Sequence, residues 1–171
     1  MLLKRIGIVS IPATFCFAGC GMLMLLPVRN APGSFFERML VHADLWNAAH
    51  IVLLFATVLM LPAAITMRQA VQAAKPAAQA TVFLIILAPS AILLAGQYAI
   101  DFVMPLIAQV GGDAEKIHGL LFSTPLVETL FYGLPNLVCL SLLGLTVALA
   151  WDYQFTRVQT VILLLNWLIV I

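Results

Sequence analysis

The chain has 171 residues, of which 64% are hydrophobic and only 9% charged, with a net charge of +1 and a mean hydropathy of +1.12. Soluble domains carry about 25% charged residues, so a water-soluble globule is excluded. A near-neutral chain with no basic stripe and no base-stacking platform also excludes nucleic acid as a direct partner. The composition points to an all-α integral membrane protein, read as one transmembrane helical domain over residues 1–171.

The first element is the apolar run Ile6 to Leu26, preceded by Lys4 and Arg5. A basic start before an apolar stretch is how a secretory signal begins, and Ala18-Gly19-Cys20 looks like part of a bacterial lipoprotein cleavage site. The run continues through Met22, Leu23, Met24 and Leu25, where a processed lipoprotein turns polar, so an uncleaved first span is expected. Small residues at four-residue spacing, Ser10, Thr14 and Ala18, mark a helix-packing face, because close backbone approach is what holds helices together in lipid. Cys16, Cys20 and Cys139 are odd in number and form no Cys-x-x-Cys pair, so neither a disulfide framework nor a metal site is expected from them.

The connection from Pro27 to Leu45 contains Phe35-Phe36-Glu37-Arg38-Met39-Leu40, suited to an interfacial turn of helix. The second run, Trp46 to Met67, and the third, Ala77 to Tyr98, follow on either side of a short connection that holds Arg68 and Lys75. Roughly 20 apolar residues at 1.5 Å each cross a hydrocarbon core of about 30 Å, and each of these runs is long enough. The connection Asp101 to Pro125 is broken at Gly111-Gly112. Its second part, Asp113 to Phe122, reads as a short amphipathic helix lying on the surface between the third and fourth spans.

The fourth run, Leu126 to Ala150, carries a second small-residue face in Gly144 and Ala148, with Ser141 one turn earlier. The fifth, Val158 to Ile171, is about 21 Å of helix, which suggests that the natural chain continues past Ile171. The expected fold is therefore a kinked bundle of about five transmembrane helices. Pro12, Pro62, Pro89 and Pro135 provide one kink in each of the first four. Trp46, Tyr98, Tyr132, Trp151 and Tyr153 lie near the proposed boundaries, as an aromatic belt does.

Lys and Arg in short loops set orientation. Lys4, Arg5, Arg68, Lys75 and Arg157 outnumber Arg29, Arg38 and Lys116, so the N-terminus is placed in the cytoplasm, in a bacterial inner membrane. Six acids, Glu37, Asp44, Asp101, Asp113, Glu115 and Glu128, then fall outside, and only Asp152 inside.

Candidate chemistry gathers at that outer boundary, in a polar cluster of His42, Asp44, His50, Asp101, His118 and Glu128. Ionisable groups at such depth meet a partner or a water-filled pocket. His50, Asp101 and Glu128 start or follow different spans and are expected to approach one another. His42-x-Asp44-x5-His50 is not a spacing that identifies a metal, and no catalytic residue is assigned. His50, preceded by Asn47-Ala48-Ala49, is the one candidate for ligating a haem or chlorin. The motifs for nucleotide, dinucleotide and zinc-protease chemistry are all absent. The leading expectation is a non-catalytic accessory or assembly subunit that presents its small-residue faces to other membrane subunits. Its alternatives are a small transporter or lipid-handling protein with a cavity between kinked helices, and a redox or pigment subunit ligating through His50.

Overall fold

The computed structural model describes residues 2–152 and 155–170; Tyr153 of the proposed aromatic belt and Ile171 lie outside them. Among the described residues eight α-helices run in order: α1 Leu2–Asn30, α2 Phe35–Val41, α3 Ala43–Ala70, α4 Ala74–Gln109, α5 Ala114–Leu121, α6 Pro125–Glu128, α7 Leu137–Trp151 and α8 Arg157–Val170. No strand occurs among the described residues. Four helical segments are long and apolar enough to cross a membrane: Arg5–Asn30, Ala43–Ala70, Ala74–Gln109 and Pro125–Trp151. The protein is an integral membrane protein of helices. At 14 residues, α8 falls short of a full crossing.

Two boundaries differ from the sequence reading, each for a physical reason. α4 does not stop at Tyr98 but runs on through Asp101 and Pro105, because Asp101 finds partners that let a carboxylate sit inside a helix. The fourth span is not one helix. After α6, Thr129–Gly133 forms a π-helical turn and Leu134–Asn136 a 3₁₀ turn before α7 begins. Pro135 has no N–H to donate back to the preceding turn, and irregular hydrogen bonding is the usual result at such a point. The helices continue uninterrupted past Pro12, Pro62 and Pro89.

Neighbouring spans pack antiparallel, α1 on α3, α3 on α4 and α4 on α7, with α8 against α7 and α1. The α1–α3 seam is built from small residues. Ser10, Thr14 and Ala18 are all buried in it, and glycines extend the stripe at both ends. A Cβ on Gly7 would fall within 1.6 Å of the Thr66 hydroxyl, and one on Gly21 within 2.6 Å of Leu53 Cγ. On α7, Ala148 is buried, and a Cβ on Gly144 would meet the Phe83 ring of α4 at 2.4 Å. Both small-residue faces are therefore covered by this chain's own helices.

Lipid supplies no hydrogen bonds, so polar groups are satisfied within the bundle. Ser10, Thr14, Thr57, Ser90 and Thr146 each donate to the backbone carbonyl four residues earlier. At the end that holds the start of α1, Asp152 accepts from the backbone N–H groups of Gln72 and Ala73 at 2.6 and 3.0 Å. The same end has the Lys75 ammonium over the Trp151 ring at 5.1 Å. A carboxylate at the start of α4 complements the helix dipole, and it ties α4 to the end of α7. At the opposite end, Ser34 and Glu37 form a capping box on α2, and the Arg38 guanidinium donates to the Arg29 carbonyl at the end of α1. Short helices are thus present in both connections, α2 in the first and α5 in the third.

The α1–α3 seam generates a test. Gly21→Leu forces a side chain into Leu53 and the Ala49 carbonyl, whereas Gly19 has nothing within 4 Å of its would-be Cβ. Thermal unfolding in mild detergent should show Gly21→Leu destabilised by about 1–3 kcal/mol, the usual cost of overpacking, and Gly19→Leu close to the parent protein. Equal stability of the two variants would contradict the seam.

Candidate functional site

The boundary cluster is organised by α3 and α4. Near the start of α3, Trp46 and His50 lie one turn apart on its buried face. The Trp46 indole donates through Nε1 to the backbone carbonyl of Asp101 at 2.7 Å, a bond that crosses from α3 to α4. His50 Nδ1 lies 2.7 Å from the Trp46 carbonyl. A carbonyl oxygen only accepts, so Nδ1 carries the proton of that bond. The other ring nitrogen, Nε2, faces Asp101 Oδ2 at 3.7 Å. The imidazole is held between aromatic rings, with Trp46 4.3 Å and Tyr98 5.9 Å away between centroids.

The second Asp101 oxygen is used by the broken fourth span. Tyr132, within the π-helical turn, donates its hydroxyl to Asp101 Oδ1 at 3.1 Å. With that hydrogen committed, the phenol oxygen is left to accept, and His118 Nε2 of α5 lies 3.3 Å from it. The His118 ring packs against Phe122 at 4.6 Å and Phe36 of α2 at 5.5 Å. A continuous polar array, Trp46–His50–Asp101–Tyr132–His118, thus runs from the buried α3–α4 seam to the surface helix α5.

Of the six residues proposed from sequence, the structure brings three together: His50, Asp101 and His118. Glu128 does not join them; it is exposed, and Tyr132, four residues later, is the side chain of the fourth span that reaches Asp101. The π-helical turn sets where Tyr132 points, and a regular helical reading could not include it. His42 and Asp44 sit apart, lining a separate shallow hollow with Leu40, Leu45 and Gln109. His50, the residue considered for a haem or chlorin, has Nδ1 bonded to the Trp46 carbonyl and Nε2 facing the Asp101 carboxylate, with the Trp46 and Tyr98 rings beside it. Among the described residues no group of three or more His, Cys, Asp and Glu side chains converges as a metal site does.

Beside the array lies a partly open cavity of about 460 Å³ bordered by α1, α3, α4 and the fourth span. Its wall is mainly apolar, from Met22, Leu53, Met60, Leu94 and Leu142, but it also includes Gln97, Tyr98, Asn136 and Cys139. Tyr98 belongs to both places, lining the cavity and contacting the His50 ring. Asn136 donates to the Tyr132 carbonyl at 2.9 Å, so the residue after Pro135 also connects cavity and array. Neither Gln97 nor Asn136 was among the candidates taken from the sequence. The signal available was an amide one residue before Tyr98, inside a long apolar run.

Burial pushes the His118 imidazole below its ordinary value of 6.5. The sign follows from linkage: the unfolded chain takes up the proton first as pH falls, so stability rises with pH across this window. The contribution of His118 is complete above about pH 6.5 and is lost as pH falls through the depressed folded value. Limited proteolysis of the 110–124 connection should accelerate between pH 7.5 and 5.5, and His118→Gln should remove most of that pH dependence. A connection equally resistant at both pH values would contradict the docking of α5 through His118.

No family model matches the chain, and no curated protein or solved structure matches it either. The chemistry open to this site is that of the residues just described.

Proposed function

We propose that this protein binds a small, mostly apolar molecule in the cavity between α1, α3, α4 and the fourth span, as a small transporter or a lipid-handling membrane protein. The observation that carries the reading is the cavity itself, about 460 Å³ with Gln97, Tyr98 and Asn136 in an otherwise apolar wall. Ligand sites are mostly apolar concavities with a few placed polar groups that fix orientation. Amides beside such a space suit a ligand with a neutral hydrogen-bonding group on a hydrocarbon body. The wall has no lysine, arginine or carboxylate, which disfavours a charged substrate.

The accessory-subunit reading drew its support from Ser10, Thr14, Ala18, Gly144 and Ala148, which are engaged within the chain. The redox reading drew its support from the small residues Ala48 and Ala49 before His50, whose Nε2 faces the Asp101 carboxylate. Both therefore stand behind the cavity reading. Lys4, Arg5, Arg68, Lys75 and Arg157 share one end of the bundle, supporting a cytoplasmic N-terminus by the positive-inside rule. With α8 counted as a fifth, short span and the membrane taken as a bacterial inner membrane, the array and α5 face the outside.

Two experiments test these statements. Protein purified in mild detergent and transferred to lipid nanodiscs should retain a defined small molecule, identified by mass spectrometry. Ala56→Phe, which fills the cavity, should lose it. Asn136→Leu should weaken retention by about tenfold or more, the cost of a hydrogen-bonding group left unpaired, roughly 1–3 kcal/mol. Identical lipid profiles for parent and both variants would reduce the cavity to ordinary lipid contact and overturn the reading. For orientation, single cysteines at the exposed positions Ala73 and Glu115, in a background without Cys16, Cys20 and Cys139, should react with an impermeant thiol reagent from the cytoplasm and from outside respectively. The reverse pattern would invert the topology.

A further inference from the structure

We propose that His50 and Asp101 form a proton-binding site inside the bundle, and that Tyr132 and His118 are its path to the solvent. The inference does not rest on the cavity holding a ligand. It rests on hydrogen-bond direction. His50 Nδ1 must donate to the Trp46 carbonyl, which leaves Nε2 as a bare lone pair unless a second proton is present. Nε2 faces Asp101 Oδ2 at 3.7 Å, and a bare lone pair opposite an ionised carboxylate in a buried seam is repulsive and unsolvated. One proton shared by the two groups, on the imidazole or on the acid, removes that repulsion. Among the described residues His50 is the only basic side chain within ion-pair distance of Asp101, so no lysine or arginine can take the proton's place.

The remaining bonds all point the same way. His118 Nε2–H donates to the Tyr132 oxygen, and the Tyr132 hydroxyl donates to Asp101 Oδ1. A proton arriving from water at His118 Nδ1 forms a new N–H bond there. The Nε2–H bond then breaks as its proton passes to the phenol oxygen, while the phenol O–H bond breaks as its proton passes to Asp101 Oδ1. The net result is one proton moved from solvent to Asp101 Oδ1, with His118 and Tyr132 neutral again and no electrons transferred; rotation of the protonated carboxyl group then turns its O–H toward His50 Nε2. The reverse sequence returns it.

The surroundings favour this path over direct solvent contact. α3 contributes His50 and Trp46, α4 contributes Asp101 and Tyr98, the π-helical turn contributes Tyr132, α5 contributes His118, and α2 contributes the uncharged Phe36. His50 and Asp101 are buried, while His118 is half-buried. Tyr132 is half-buried as well, so the array meets the surface through its last two members. A π-helical turn at this place fits the tendency of such turns to occur where a side chain is positioned for function.

Nuclear magnetic resonance of the full chain in nanodiscs, with ¹⁵N-labelled histidine and His42→Gln to leave two imidazoles, reads the site. His50 should keep a protonated Nδ1 at every pH at which the protein is folded, and Asp101→Asn should shift its Nε2 signal. Tyr132→Phe keeps the ring that packs on Phe122 and His118 but removes the hydroxyl. It should leave the His50 titration in place while slowing deuterium exchange of the His50–Asp101 proton on the order of a hundredfold, as loss of a positioned proton donor does. His118→Gln should slow it as well. Exchange in Tyr132→Phe as fast as in the parent would overturn the path, and a His50 Nε2 signal unmoved by Asp101→Asn would overturn the shared site.

Discussion

A hydrocarbon solvent has no hydrogen bonds to give, and most buried polar groups of this chain are arranged around that fact. Helices satisfy the backbone internally, and serine and threonine side chains return their hydroxyls to carbonyls of their own helix. The same constraint governs Asp101. A carboxylate within a membrane helix is tolerated because a phenol and an imidazole face its two oxygens, and an indole takes its backbone carbonyl. Those bonds fasten α3, α4, α5 and the fourth span at one end. At the other end a second carboxylate, Asp152, ties the start of α4 to the end of α7.

Between these two fastenings the bundle is uneven in a way that makes space. α1 and α3 touch through glycine and other small residues, so their backbones approach closely. Across from them the fourth span departs from regular helix at Thr129–Asn136, and Pro135 and Asn136 face the cavity. Irregular backbone within a membrane is tolerated where protein buries it or where it lines a cavity. The broken segment thus serves both neighbours: its π-helical turn delivers Tyr132 to Asp101, and its next two residues line the cavity. Cavity and array are two consequences of one local departure from the α-helix.

Much of the architecture was legible in the residues. Four long apolar runs require four spanning helices, because nothing else accommodates that many apolar side chains with their backbone satisfied. The aromatic and charged residues from Phe35 to Leu40 and the amphipathic pattern after Gly112 located the two short helices in the connections. The convergence of His50 with Asp101 was also legible, since both lie near the same boundary on consecutive antiparallel spans. Glu128 was placed with them by the same logic and does not belong there, because depth along a helix says nothing of the direction in which a side chain points.

What the sequence by itself determined is the class of the protein and its four long apolar helices. These depend on hydrophobicity and length, which are properties of local runs. Tertiary structure alone decided that the small-residue faces close against this chain's own helices, that Tyr132 and not Glu128 meets Asp101, and that amides from two spans line one cavity. Those outcomes depend on helix rotation and on a change of hydrogen-bond pattern over a few residues. Both are set by which side chains fit across a seam, and no single run contains that information.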